Sequence, residues 1–258
     1  MMQIRAAQRA QYMGSEEFSW EEIKITLKDP KLYLRCVLPQ RLIHLYANRC
    51  SVSGLIQFCQ DILLYGFSTF LPSIITSMGY NSLQAQYLTI PVYILGGACF
   101  LAFAFMSDRM TLRSPFLLFA NVFGIVGYIL ILTPTSHAVK FFGTFLCAIA
   151  VYNGPGLNLT WLNVNVAPHY RRAAAIGFQQ TIGNTAGIVA GQIYRKSPYV
   201  LGNAFSVGAL GLSQLLIVAK FLYIRQCNAQ KAKIAKGEAE DTRKVKTGDR
   251  ELDFKYHL

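Results

Sequence analysis

The sequence predicts an all-α polytopic membrane protein with six transmembrane helices. Of its 258 residues, 53% are apolar and 15% are charged, and the mean hydropathy is +0.31. An ordinary soluble domain is less apolar and carries more charge. Each apolar run is about 20 residues long, which is enough to cross a bilayer. The six runs lie at 55–78, 86–106, 114–133, 139–164, 173–193 and 200–224.

The basic residues predict how these spans are oriented. Lys and Arg total 25 against 13 Asp and Glu, a net charge of +12 that could indicate nucleic acid as a partner. These charges instead lie at the chain ends and in short loops beside the apolar runs, so we expect no nucleic acid and a lipid bilayer as the surroundings. An even number of spans places both termini on one side. The loop arginines on that side are Arg109, Arg113, Arg171 and Arg172.

The positive-inside rule therefore predicts that both termini are cytoplasmic, and the expected location is the plasma membrane. Three segments follow: a polar cytoplasmic segment at 1–54, the six-helix bundle at 55–224 and a charged cytoplasmic tail at 225–258. The tail is expected to be solvated. The beginning of the sequence has no apolar stretch followed by a small-residue cleavage site, so no cleavable signal is expected.

Enzymatic motifs are absent from the sequence. It contains no HExxH, no GxSxG and no paired acid constellation typical of an active site, and the six cysteines lack the spacing of metal ligands. We therefore predict a protein that is not an enzyme and that needs no cofactor and no metal.

Asp61 is the one carboxylate in the first apolar run, which contains no Lys or Arg. An acid near the bilayer core is costly, so it usually faces a bundle interior or a water-filled path and marks the handling of ions, protons or substrate. One interpretation is a proton-linked or charge-compensating group. The other is a protonated or helix-capping acid that holds this helix near the cytoplasmic boundary.

Several uncharged polar side chains lie in the same apolar runs. Amides in a membrane either bridge helices or bind polar groups of a ligand, and both interpretations stay open. With Asp61, the candidates for a substrate or proton pathway are Tyr65, Asn153, Gln179, Gln180 and Asn184.

Proline and glycine interrupt or pattern the spans. Pro72, Pro91 and the Gly-Pro-Gly sequence at 154–156 weaken the hydrogen bonding of their helices, as in kinked helices that line a cavity. The fifth run carries small residues at four-residue spacing, which lets two helices approach closely. The candidates for this helix packing, or for a sliding surface, are Gly183, Gly187 and Gly191.

The loop at 107–113, SDRMTLR, joins the second and third runs. Asp108, Arg109 and Arg113 form a charged turn that can hold one conformation of a moving bundle. The loop resembles the signature of the major facilitator superfamily, in which an Asp-Arg or Asp-Lys pair, a Gly and further basic residues join the second and third helices of each half. Thr111 stands where that family usually has Gly.

Further stretches resemble the fungal anion:cation symporter branch of that superfamily, the allantoate and nicotinate permease-like transporters. They match its C-terminal half, helices seven to twelve, at 65–80, 85–93, 105–116, 165–195 and 199–205. The resemblance implies one half of a major-facilitator fold and a proton-coupled symporter of a small organic anion, a carboxylate. A basic residue for such an anion is missing from the span centres, so its main partner is expected in the other half.

Two departures from the family bear on activity. Helices one to six of the family have no counterpart here, and the family-like seventh helix is restored only when Cys36 is joined directly to Ile56. We therefore predict an insertion at 37–55, either a translated intron or an interfacial amphipathic segment. The expected partner is the missing N-terminal half or a second copy of the chain. The alternatives to a working transporter are a truncated, non-transporting six-helix membrane protein and a half-transporter that dimerises through its glycine face.

Overall fold

The computed structural model describes residues 48–167, 169–195, 197, 199–238, 252 and 254–258. Within this part of the chain the protein is helical and has no strand, which confirms the all-α prediction. Residues 1–47 lie outside it, including most of the predicted insertion, whereas residues 48–55 belong to the first helix. The helices are α1 (Asn48–Ser77), α2 (Ser82–Met110), α3 (Ser114–Leu132), α4 (His137–Asn165), α5 (His169–Asn184), α6 (Ala186–Ile193) and α7 (Val200–Ala235).

Four helices are long and apolar enough to cross a membrane: α1 from Val52, α2, α3 and α7. The other two predicted spans correspond to α4 and to α5 with α6. Four asparagines lower the apolar character of α4, and the fifth predicted span is divided into helices of 16 and 8 residues, each too short to cross a membrane alone. The protein is thus polytopic, and the count of six spans stays a prediction.

The helix α1 forms the centre of the bundle. It packs against α2, α4, α5, α6 and α7. Its buried apolar residues, among them Leu63, Phe67 and Leu71, contribute to the main hydrophobic core. In contrast, α2 exposes large apolar side chains such as Ile94 and Leu101, as expected for a helix that faces lipid or another protein surface.

Prolines do not end the helices that contain them. Pro72, Pro91 and Pro155 lie inside α1, α2 and α4. The fifth predicted span has no proline, yet it is divided at Thr185. The backbone N–H of Thr185 donates to Ile182 O at 3.2 Å, and its hydroxyl donates to the same oxygen at 2.6 Å. The sequence separation between donor and acceptor thus falls from four residues to three here, and α6 begins as a separate helix.

Residues 254–258 pack against one end of the bundle, where the loop at 111–113 and the end of α4 also lie. We call this the basic end. Asn228 of α7 donates to Tyr256 O at 2.9 Å and accepts from Tyr256 N–H at 3.0 Å. Lys231 donates to Phe254 O at 2.7 Å. The expectation of a solvated tail therefore does not describe these residues, since Phe254 and Tyr256 are buried.

The end of α4 holds the same segment through its main chain. Trp161 Nε1–H and Asn165 Nδ2–H both donate to His257 O at 3.0 Å. Asn165 Oδ1 accepts from His257 N–H at 2.8 Å, and the N–H of Arg113 donates to Leu258 O. Residues 254–258 thus join α4, α7 and the loop between α2 and α3.

Candidate functional site

A stripe of polar side chains follows one face of α1. Gln57 follows Ser53 by four residues, and Gln60 and Asp61 follow Gln57 by three and four residues, so all four lie on this face. All four are at most 4% exposed. The residues that contact the stripe come from α4, α5 and α7.

Four hydrogen bonds connect a buried ammonium group to a buried carboxylate. Lys220 Nζ donates to Ser53 Oγ at 3.1 Å, and the Ser53 hydroxyl donates to Asn158 Oδ1 at 3.1 Å. Asn158 Nδ2 donates to Gln57 Oε1 at 2.9 Å, and Gln57 Nε2 donates to Asp61 Oδ1 at 3.0 Å. We call these five residues the buried network. In each of the four hydrogen bonds, the donor belongs to the residue nearer Lys220 in this order and the acceptor to the residue nearer Asp61.

Gln179 of α5 joins this network at its middle. It is fully buried and donates from Nε2 to Gln57 Oε1 at 3.1 Å. One turn later, Gly183 lies against Asp61. A methyl group at Gly183 would collide with Asp61 Oδ2 and would lie 2.6 Å from Gln57 Cγ. The absence of a side chain at Gly183 therefore allows α5 to cover the carboxylate closely.

Two other predicted pathway residues meet one turn beyond Asp61. The Tyr65 hydroxyl donates to Asn184 Oδ1 at 2.7 Å, directly beside the division at Thr185. The predicted packing residue Gly187 faces the Tyr65 ring, with its Cβ position 3.5 Å from Cδ2. At the third glycine, Gly191, an added Cβ would meet nothing within 4 Å among the described residues. The glycine face thus packs on α1 at Gly183 and Gly187.

The remaining predicted pathway residues, Asn153 and Gln180, are not hydrogen-bonded to the buried network. Asn153 is fully buried and donates to Ile149 O within its own helix at 2.7 Å. Among the described residues, Asn153 Oδ1 and Gln180 Oε1 have no hydrogen-bond partner. Neither amide touches Asp61 through a hydrogen bond in this arrangement.

Only Asp61 of the polar stripe was predicted from the sequence. Ser53, Gln57 and Gln60 on the same helix and Lys220 on α7 were missed. Ser53 and Gln57 stand eight and four residues before Asp61, a helical spacing that could have identified them, whereas Gln60 directly precedes Asp61. Both amide atoms of Gln60 lack a hydrogen-bond partner in the described part of the chain. Lys220 lies four residues before the end of the predicted run at 200–224, so a search for charges at span centres passes over it.

Lys220 is the most unusual of these residues. It is 5% exposed, and its Nζ lies 3.8 Å from the centroid of the Trp161 ring. The face of an aromatic ring attracts a cation, most strongly where water is excluded. The bundle therefore contains a buried cation, although it was expected to lack a basic residue for an anion at its span centres.

The predicted conformational loop closes on itself. Asp108 and Arg113 form an ion pair, and Arg113 Nη1 donates to Ser107 Oγ at 3.2 Å. Thr111 takes a left-handed backbone conformation with φ 54° and ψ 22°. The tight turn thus forms although Thr replaces the expected Gly. Arg109 is exposed and lies over the Phe105 ring, so it takes no part in the pair.

The chain is similar in sequence to several fungal proteins that are named as transporters. An uncharacterised transporter of Schizosaccharomyces pombe is 44% identical over 259 residues, covering 100% of this chain and 50% of that protein. The high-affinity nicotinic acid transporter of Saccharomyces cerevisiae is 32% identical over 84% of this chain and 38% of its own length. A major facilitator-type transporter of Emericella nidulans is 26% identical over 80% of this chain and 43% of its own.

The chain belongs to the major facilitator superfamily. It spans about half the length of the curated relatives it matches, which is consistent with the C-terminal half that the sequence predicts. No family model matches the chain, and no solved structure does.

Membership in the major facilitator superfamily agrees with two further predictions. The relatives are named as transporters, a class of proteins that are not enzymes. Together with the apolar helices, they indicate an integral membrane protein. In this major-facilitator half, the buried network places one carboxylate and one ammonium group among buried polar side chains that are uncharged.

Proposed function

We propose that this chain forms one half of a transporter that carries a small organic anion together with a proton. The observation that supports the proposal is the buried network, in which Asp61 and Lys220 lie at opposite ends of four hydrogen bonds. Charged groups inside a membrane bundle are costly, and they are retained where ions, protons or charged substrates are handled. One relative is named as a nicotinic acid transporter, and nicotinic acid is a carboxylic acid, which fits this class of substrate.

Asp61 is the proton-binding group in this proposal. It is covered by Gln57 on its own helix and by Gly183 of α5. The division of the fifth span at Thr185 lies beside this cover, so α5 and α6 can move as separate pieces against α1. Such a movement would give Asp61 access to water and to a proton.

Polar groups near Asp61 supply the contacts for the substrate. Tyr65 and Asn184 are accessible at the surface between α1 and α5, and they offer a hydroxyl and an amide. Asn153 and Gln180 each have an amide oxygen without a partner among the described residues. These groups can hold the polar atoms of a small anion once a second half closes the cavity.

A second half is needed because major-facilitator substrates bind between two six-helix halves. A copy of this chain is one candidate, and a complementary N-terminal half is the other. The packing of Gly183 and Gly187 on α1 supports the complementary half, since Gly191 is the one glycine of this face without a neighbour within 4 Å among the described residues. Driven by an inward proton gradient, the assembled transporter would import its substrate across the plasma membrane.

Uptake of a labelled acid tests this function. The chain is produced in yeast cells, alone and together with the N-terminal half of the 44% identical relative, and nicotinate uptake is measured with and without an inward proton gradient. Nicotinamide is the matched neutral solute, and Asp61→Asn is the matched variant. We expect gradient-dependent uptake of nicotinate that Asp61→Asn abolishes.

Three outcomes bear on the proposal. Uptake by the two halves together and not by the chain alone supports the complementary half. Uptake that Asp61→Asn leaves coupled to the gradient removes Asp61 from the mechanism. A stable chain that transports no carboxylate in either arrangement contradicts the proposal and supports the non-transporting membrane protein.

A further inference from the structure

We propose that the docking of residues 254–258 at the basic end is an autoinhibitory contact, which holds the end of α4 against α7 and restrains the opening of the buried network. The contact lies within the chain itself, and the names of the relatives do not indicate it. The restraint on α4 is independent of the proposed function, whereas its effect on transport rests on that function.

The docked residues bind α4 through two side chains in its last turns. Trp161 and Asn165 lie four positions apart and therefore share one face of the helix. Both donate to His257 O, and Asn165 accepts from His257 N–H, so α4 satisfies both main-chain polar groups of His257. Asn165 also donates to Trp161 O at 2.8 Å. Bending or fraying of α4 here would break the contacts to His257 together with those of the helix.

The opposite side of the docked residues is fixed to α7. Phe254 and Tyr256 are buried and belong to the same hydrophobic cluster as Ile224 of α7, while Lys255 between them is exposed. The Lys231 ammonium group lies 4.1 Å from the centroid of the Tyr256 ring and 5.4 Å from that of Phe254. Buried aromatic rings and a cation over their faces give a stable attachment. Residues 254–258 thus form a bridge from α7 to the end of α4.

The end of α4 needs such a bridge because the helix is weakened at its middle. Pro155 has no N–H and cannot donate to Val151 O, and a glycine stands on each side of it. Before the proline, α4 packs closely on α3, since an added Cβ at Gly124 would lie 2.5 Å from Ala150 Cβ. The first part of α4 is therefore fixed to α3, and the part beyond the proline can bend when its own contacts are released.

The part of α4 beyond the proline also carries residues of the candidate site. Asn158 donates to Gln57 within the buried network, and the ring of Trp161 lies 3.8 Å from Lys220 Nζ. Trp161 thus contacts the network with its ring and His257 with its N–H. A movement of the end of α4 would carry both residues away from their partners on α1 and α7. By holding this end, the docked residues oppose the opening of the network from the basic end.

Amide hydrogen exchange of the full chain in detergent tests the restraint without any need for transport. Tyr256→Ala removes a buried ring from the docked residues and retains every residue of the helices. We expect exchange at 162–165 of α4 to become about tenfold faster or more, and exchange at 144–150, before the proline, to change by less than about twofold. Equal acceleration in both parts, or unchanged exchange at 162–165, would overturn the proposal.

Lys255→Ala is the matched control, because it alters an exposed side chain of the same segment. It should leave exchange in both parts of α4 unchanged. If Tyr256→Ala fails to fold, Phe254→Ala provides a second release, since it removes the other buried ring while Lys231 can still donate to the main-chain oxygen of residue 254. Exchange at 162–165 should then become at least about threefold faster. Acceleration along the whole of α4, or at neither part, would contradict the proposal.

Uptake in yeast cells measures the effect on transport. The wild type, Tyr256→Ala and Lys255→Ala are each produced with the N-terminal half of the 44% identical relative, and rates are compared at equal amounts of protein in the membrane. We expect Tyr256→Ala to raise the maximal rate of gradient-dependent nicotinate uptake about twofold or more, because conformational steps often limit turnover, and Lys255→Ala to leave it unchanged.

The two measurements separate this proposal from the proposed function. Faster exchange at 162–165 together with an unchanged or lower maximal uptake rate would overturn the autoinhibitory contact. Faster exchange at 162–165 with no nicotinate uptake by any of the three chains would contradict the proposed function and would still support the restraint on α4.

Discussion

Gly127 of α3 and Gly143 of α4 face each other across their helices, and each would bring an added Cβ within 2.8 Å of the other's carbonyl oxygen. This pair is the closest reciprocal contact between two glycines of the described helices. It lies outside the fifth span, where small residues at regular spacing predicted helix packing. The two helices therefore depend on the absence of side chains at positions that the sequence pattern does not emphasise.

Gly127→Ala should destabilise the protein because its methyl group would meet Gly143 O at 2.7 Å and Cys147 N at 2.8 Å. We expect a loss of about 1–3 kcal/mol in the free energy of unfolding, as in other overpacked interiors. Thermal unfolding in detergent measures it. Gly211→Ala is the matched control, since nothing lies within 4 Å of that Cβ position among the described residues, and it should unfold at the wild-type temperature or slightly above.

Gly183→Ala should disturb the cover of Asp61. Its methyl group would collide with the carboxylate and with Gln57, so α5 must move away from α1. We expect a loss of about 1–3 kcal/mol in stability and the loss of proton-linked nicotinate uptake. Gly191→Ala, which meets nothing within 4 Å in the described part of the chain, should leave both unchanged; equal effects at the two positions would argue against a specific contact at Asp61.

Thr111→Gly should stabilise the loop between α2 and α3. Thr111 has φ 54°, and a left-handed conformation costs a β-branched residue about 1–2 kcal/mol. Glycine removes this cost but adds flexibility to the unfolded chain, so the expected net gain is at most about 1 kcal/mol. Thr111→Val is the control, because it keeps the β-branch, and it should bring no gain in unfolding temperature.

Asn228→Ala should release residues 254–258 from the basic end. The substitution removes both hydrogen bonds between Asn228 and Tyr256, each worth about 1 kcal/mol. Amide hydrogen exchange should become faster at Tyr256 and His257, whose N–H groups are bonded in the wild type. Gln230→Ala, on an exposed position of the same helix, should leave their exchange unaltered.

Most helices could be predicted from the sequence because an apolar run of about 20 residues has few structural alternatives in a membrane. The division at Thr185 could not, since it results from a local shift in hydrogen bonding that involves neither Pro nor Gly at that residue. The burial of Lys220 was missed because a lysine near the end of a span ordinarily extends its charge to the interface. Here Ser53 and Trp161 hold it inside.

The docking of residues 254–258 was also beyond prediction, for a different reason. The contacts from Trp161, Asn165, Asn228 and Lys231 go largely to main-chain carbonyl oxygens, which every residue possesses. A sequence pattern therefore cannot indicate them. Asp61, in contrast, was identified at once because a carboxylate is rare in such a run, although its hydrogen-bond partner Gln57 emerges only from the fold.

Trp161 contacts both the docked residues 254–258 and the buried lysine, since its N–H donates to His257 O while its ring covers the Lys220 ammonium group. The sequence contains only two tryptophans. Replacing Trp20 by Phe would leave Trp161 as the single indole fluorophore of the chain. Its emission would then report release of residues 254–258 and displacement of the ammonium group, so that both events can be followed optically in unlabelled protein.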